Sequence, residues 1–393
     1  MSQAEAIESR RNRMRIVPWA LLGVAGVVVA TGVLPVDKAA ELASTTGPVL
    51  IFVVAMTVVA ELASTAGVFT VIAEQLAAWG RGRVMLLWIF VLIMVTLITA
   101  FMSLDTTAVL VTPIIVLLAR HIGLSPLPFA LATVWLANTA SLFLPVSNLT
   151  NLLAADTFGS TPFAFVRALW VPALISVLIT IGMLTVLHRG SLSGRYELVE
   201  RTRIPDRPLL AVGIIVIALM LPLLVSGLPV SIVACGAALI LVAAFAVRNR
   251  NALGFGLVPW RTIVFAGSLF VLVETVEAHG LTSALATASG SGEDVWSLLR
   301  LAALGALGAN AVNNLPAFLA MSTVAETPMR MGALLVGVNL APLVSPWASL
   351  ATLLWHQRLE RLGVEISWLR FAVLGLVLVV LIVPTTVLAL RLS

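Results

Sequence analysis

Residues 138–153 read Asn-Thr-Ala-Ser-Leu-Phe-Leu-Pro-Val-Ser-Asn-Leu-Thr-Asn-Leu-Leu, and residues 339–354 read Asn-Leu-Ala-Pro-Leu-Val-Ser-Pro-Trp-Ala-Ser-Leu-Ala-Thr-Leu-Leu. Superposed at an offset of 201 they share seven of sixteen residues, among them Asn138/Asn339, Pro145/Pro346 and Leu149/Leu350. An apolar composition of this kind gives roughly two such identities by chance. Each copy sets a proline and small polar residues in the middle of a stretch long enough to cross a bilayer. Backbone at membrane depth has to be satisfied by the protein itself, so a break there is costly unless it lines a cavity or is buried in protein. A broken membrane helix in corresponding places of two halves is a pointer to a transporter's substrate site.

The surrounding composition agrees. The chain has 393 residues, 60% hydrophobic and 10% charged, with a mean hydropathy of +1.10. So few charged side chains cannot cover a soluble surface. Membrane spans are expected near 17–36, 48–73, 126–152, 165–188, 208–226, 229–247, 260–279, 330–356 and 366–390. Two further pairs, 84–102 with 105–119 and 295–311 with 314–325, are joined by polar tips. Their second members are short for a crossing, so they read as re-entrant hairpins.

The expected fold is an all-α polytopic membrane protein with two inverted-topology repeats, each holding a hairpin and an interrupted helix. The boundaries are a basic arm at 1–16, a first repeat at 17–188, a linker at 189–207 and a second repeat at 208–393. A weaker echo, Glu61 with Gly67 and Glu274 with Gly280, supports the division. Arg10 to Arg15, Arg81/Arg83, Arg120, the 189–207 loop, Arg248/Arg250 and Arg358/Arg361 then fall on one side, cytoplasmic by the positive-inside bias. Glu277, Glu293, Asp294 and the C-terminus fall on the other, with His279 near a membrane edge. The first sixteen residues are too polar for a cleavable signal. The charge of +5 reflects loop arginines and calls for no nucleic-acid partner. Cys235 alone excludes an intramolecular disulfide.

The tips carry the candidate chemistry. The first turns at Ser103-Leu104-Asp105-Thr106-Thr107 and the second at Asn310-Ala311-Val312-Asn313-Asn314-Leu315-Pro316. With Ser147, Asn148, Thr150, Asn151, Asn339 and Ser345 from the broken helices, Thr106, Thr107, Asn313 and Asn314 form a substrate-binding set of hydroxyls and amides. Asp105 is expensive at depth and reads as a proton or ion carrier, or as the N-cap of the helix that follows. Glu61 and Glu274 are further coupling candidates, or braces between the halves. Lysine and arginine are absent from the predicted site, which suits a neutral hydroxylated solute or a small cation. No HExxH, P-loop, Cys/His cluster or G-x-S-x-G occurs, so neither an enzyme, a metal centre nor a cofactor is expected. Without a P-loop, transport is expected to be driven by an ion gradient and not by ATP bound to this chain.

Asp105-Thr-Thr-Ala-Val-Leu-Val-Thr-Pro113, the 138–151 segment, Asn313-Asn-Leu-Pro316, Asn339-Leu-Ala-Pro through Trp355, and Ile366-Ser-Trp368 together resemble the ArsB-type arsenite/antimonite permeases of the ion transporter superfamily. The similarity runs from about residue 17 over most of the chain. It implies export of arsenite or antimonite against protons in an inner membrane, by elevator-like movement of the hairpin-bearing domain. Asp105, Ser147, Asn148, Thr150, Asn151, Asn313, Asn314 and Asn339 would line or support the site. Leu104 and Asn138 stand where the family often has asparagine and aspartate, and the family's usual first helix is replaced by the basic arm. At neutral pH arsenite is an uncharged triol, which suits hydroxyl and amide partners, and a site without thiolates would not trap it. The alternative within the superfamily is a sodium/proton antiporter or a sodium-coupled carboxylate transporter. The expected partners are the solute, protons or sodium, and lipid; a homodimer and a soluble ATPase partner are left open.

Overall fold

The structure, a computed structural model, describes residues 18–159, 161–197, 202–277 and 281–392. The basic arm, Arg201 and His279 lie outside the described residues, as does the side chain of Glu277. Among the described residues the fold is helical with no strand, apart from one isolated bridge between Arg83 and Arg195. Among the described residues seven helices are long and apolar enough to cross a membrane: Asp37–Thr65, Val84–Phe101, Leu104–His121, Pro162–His188, Arg207–Leu224, Val230–Arg248 and Trp368–Leu392.

Three boundaries differ from the sequence reading. The first expected span is only the short helix Pro18–Ala30, which ends before Gly32, a residue with φ of 72°. The next helix begins at Val36, not near 48, and carries Pro48 inside it up to Thr65. Its first turns hold Asp37, Lys38 and Glu41, which hide them from an apolar window. It stops at Gly67, φ 89°, and the chain resumes as Val68–Trp79. The second arm of hairpin one, Leu104–His121, has 18 residues and is long enough to cross, so it is not the short member the sequence implied. Hairpin two keeps unequal arms, Val295–Ala311 with 17 residues and Asn314–Ser322 with 9.

Both interrupted helices are broken where expected. Pro126–Thr139 gives way to single 3-10 turns at Ala140–Leu142 and Pro145–Ser147 before Leu149–Phe158. Pro328–Leu340 resumes as Leu350–Arg361. Pro145 and Pro346 supply no N–H inside the breaks, and their rings obstruct the preceding turn. The first halves of both helices are the most enclosed parts of the molecule. Every residue from Pro128 to Thr139 and from Arg330 to Leu340 is buried. By contrast, Val230–Arg248 turns Leu239, Ile240 and Val247 outward, a pattern for a helix facing lipid.

The halves interlock. Trp355 donates its indole N–H to Ala130 O at 2.9 Å, and Arg120 donates to Leu362 O and Gly363 O at the end of Leu350–Arg361. A cation suits that negative helix end. The arginine-bearing loops gather together: Tyr196 N–H donates to Gly82 O and its hydroxyl to Ala77 O, and Arg248 pairs with Asp206 at 2.9 Å.

Candidate functional site

The two breaks meet at one asparagine. Asn339 Oδ1 accepts from Asn148 Nδ2 at 3.0 Å and from the Thr150 hydroxyl at 2.7 Å, while its Nδ2 donates to Asn151 Oδ1 at 2.6 Å. Asn151 Nδ2 in turn donates to Ser141 O and Leu144 O, carbonyls left over by the first break. Asn148 also caps the resumed helix, its Oδ1 accepting from Thr150 N–H. All four side chains are buried, and buried amides need such partners. The structure brings Asn148, Thr150 and Asn151 of the predicted set onto Asn339, and the amides use most of their capacity on each other.

The remaining predicted residues group around the hairpin tips. Ser147 donates to Ala100 O at 2.6 Å, tying the first break to hairpin one. Ser345 does not join the Asn339 cluster. Its hydroxyl donates to Asn310 O at 2.8 Å and its N–H to Asn310 Oδ1 at 3.0 Å. Asn313 Nδ2 donates to Trp347 O and Asn314 N–H to Ala348 O, both at 2.8 Å. Asn310, outside the predicted set, is therefore the main tie at tip two; its Nδ2 also reaches Ala341 O at 2.8 Å, and its carbonyl accepts from the Trp347 indole. Its signal was visible only as one more asparagine in a polar tip.

Hairpin one is organised differently. The cap of its second arm is Ser103, whose hydroxyl oxygen accepts from Thr106 N–H at 3.1 Å, so Asp105 does not serve as the N-cap. Asp105 is half-buried, and its carboxylate has no hydrogen bond among the described residues. Thr107 and Thr99 hydroxyls bond to each other at 2.8 Å. Thr107–Val111 forms a π-turn that sequence reasoning missed. Its cause is Pro113, which cannot donate and crowds the preceding turn. Thr112 N–H closes the widened turn on Thr107 O, and the Thr112 hydroxyl lies 3.1 Å from the same carbonyl and 2.8 Å from the Thr133 hydroxyl. The short turn Leu104–Thr106 lies against helix Leu350–Arg361, next to the second break.

Glu274 is tied elsewhere, while Glu61 lies within electrostatic range of Arg358 on helix Leu350–Arg361. Glu274 pairs with Lys38 at 3.9 Å, near the start of helix Val36–Thr65, and Glu61 is half-buried within the same helix. Arg330, buried at the start of the second interrupted helix, donates to Val324 O, Gly290 O and Gly292 O, a role in loop bracing. Among the described residues no group of three or more His, Cys, Asp or Glu could hold a metal ion.

Comparison with known proteins supports this architecture. Residues 9–352 match the CitMHS family, described as citrate transporter. The arsenical pump membrane protein of Escherichia coli is 31% identical over 373 residues, covering 86% of this chain and 85% of that one. The chain is an ArsB-type member of the CitMHS transporter family. The arsenical pump membrane protein of Yersinia enterocolitica is 30% identical over 375 residues, with 86% and 85% of the two chains covered. At the level of fold, the YdaH transporter of Alcanivorax borkumensis, whose crystal structure is described as having an unusual topology, aligns with a TM-score of 0.60 at 15% identity over 91% of this chain and 86% of that one. The protein is a multi-pass membrane transporter, and the ArsB-type motifs quoted from its sequence lie at the hairpin tips and helix breaks.

Proposed function

We propose that this protein exports arsenite or antimonite in exchange for protons. In this reading residues 17–188 and 208–393 are inverted-topology repeats joined by the 189–207 linker. The arginine-bearing loops and the N-terminus face the cytoplasm and the C-terminus faces away from it. The observation that carries the proposal is the setting of Asp105: a carboxylate without a hydrogen bond, on a hairpin tip against the second break, beside hydroxyls and amides and without a basic side chain. Such a site suits an uncharged triol that exchanges with a proton. Asn148, Thr150, Asn151 and Asn339 hold the crevice in shape, while Ser147, Thr106, Thr107, Asn313, Asn314 and Ser345 fix the tips that border it.

The ties from Asn339, Trp355 and Arg120 across the halves favour movement of both hairpins and both interrupted helices as one body, which is the requirement of an elevator-like step. Glu61 and Glu274 serve the scaffold in this account, Glu274 through Lys38.

A second reading, sodium-coupled carboxylate transport, is favoured by the family's description as citrate transporter. Everted vesicles separate the two. With an acid interior, arsenite uptake is expected; transport of sodium or a dicarboxylate with no arsenite uptake would replace the first reading by the second.

A further inference from the structure

The offset of 201 pairs Asn339 with Asn138, and Asn148, Thr150 and Asn151 with Ser349, Ala351 and Thr352. The packing repeats in the same way. Helix Pro328–Leu340 lies against Leu149–Phe158, and helix Pro126–Thr139 lies against Leu350–Arg361. The bond from Trp355 to Ala130 sits about two helical turns from Ser349 on one helix and from Asn138 on the other, so the repeat brings these two residues to the same end of the pair.

The two pairings differ in their hydrogen bonds. In the first, both polar side-chain atoms of Asn339 are hydrogen-bonded. In the second, Asn138 Oδ1 and the Ser349 hydroxyl are both buried and without a hydrogen-bond partner among the described residues. Ala351 has nothing to offer, and Thr352 turns to Pro342 O. Ser349 stands at the N-cap of a 12-residue helix and makes no side-chain cap bond. Leu104–Thr106, which carries Asp105, packs against the same helix. Buried polar atoms without partners call for an explanation, and here two of them fall at the mates of a hydrogen-bonded cluster.

We propose that Asn138 and Ser349 contact the transported solute directly, which deepens the transport reading above and rests on it. Asn138 Oδ1 accepts a hydroxyl hydrogen. The Ser349 hydroxyl and the first N–H groups of its helix receive an oxygen. A small neutral polyol-like solute offers both; a carboxylate would set its lone pairs against the Asn138 oxygen, and a bare cation would meet the positive end of a helix.

The test uses the full chain purified in detergent, with arsenite as the probe and thermal unfolding and calorimetric binding as readouts. Asn138→Leu and Ser349→Ala should each raise the arsenite Kd roughly tenfold while leaving the midpoint without arsenite unchanged or higher. Thr386→Val removes another buried unpartnered hydroxyl, on the C-terminal helix, and should leave the Kd unchanged. Wild-type affinity in both site variants would overturn the assignment while leaving arsenite transport standing. Stabilisation of the wild type by sodium alone, abolished in Ser349→Ala, would also overturn it, by making this a cation site. No arsenite binding to the wild-type protein would sink the transport reading and this inference together.

Discussion

In each hairpin the chain turns on a residue with positive φ, Ser103 at 156° and Asn313 at 148°, and a serine of the neighbouring break donates to the carbonyl three residues earlier. Ser147 donates to Ala100 at 2.6 Å and Ser345 to Asn310 at 2.8 Å. Both turn residues lie in a backbone region favoured by glycine, a strain of about 1–3 kcal/mol each, and both repay part of it by capping the second arm. From there the halves diverge. Tip two adds bonds through the Asn310 side chain, Asn313 and Asn314 to its own break. Tip one has alanine at the matching position and holds its break by the Ser147 hydroxyl, with Asp105 unspent beside it. Backbone approach differs too: Gly337 lets the second interrupted helix come against hairpin two, while Leu136 stands at the corresponding place in the first half. The difference teaches a division of labour on one plan, with the second half braced and the first carrying the ionisable group.

The largest expected effect tests the brace. A Cβ on Gly337 would lie 2.1 Å from Ala302 O, so Gly337→Ala should cost about 3 kcal/mol or more and abolish a monodisperse peak in size-exclusion chromatography. Normal folding would show that hairpin two is not packed as tightly as described. Next, Asn310→Ala removes the amide bonds to Ala341 O and Ser345 N–H and should cost about 2–4 kcal/mol, against about 1 kcal/mol for Ser147→Ala, read as thermal midpoints in detergent. Equal losses would erase the asymmetry.

The smallest effect is at the start of hairpin two. The Ser297 hydroxyl and the N–H groups of Ser297 and Trp296 hold the Asp294 carboxyl below the usual carboxylate range. A depressed carboxyl stabilises above its ordinary value and loses that contribution as pH falls through its folded value, so the loss belongs below about pH 4. Asp294→Asn should flatten the acid limb of the stability profile there. Hairpin one begins at Arg83 without a side-chain cap and should show no such limb from its own start.

Much of this plan was legible in the sequence. Proline and asparagine in corresponding apolar stretches located both breaks and both tips, because lipid penalises unpaired backbone. That the amides and hydroxyls of both breaks belong to one set was legible for the same reason. What was not legible depends on geometry that residue types leave open. Ser345 was expected beside Asn339, yet the second break turns it toward Asn310. Asp105 was read as a possible cap of the second arm, and the structure gives that role to Ser103, whose hydroxyl accepts from Thr106 N–H. The π-turn at Thr107–Val111 follows from Pro113, but whether a proline kinks or widens a helix depends on its neighbours. The start of helix Val36–Thr65 was hidden because its first turns carry Asp37, Lys38 and Glu41, and the partner of Lys38, Glu274, lies on a helix distant in sequence.

The most direct test of the division of labour is proton-driven arsenite uptake into everted vesicles by Asp105→Asn, with arsenite binding measured on the same purified variant. The account predicts that uptake no longer responds to the imposed pH difference while binding is partly retained. Uptake that follows the proton gradient as in the wild type would contradict it and return Asp105 to a structural role.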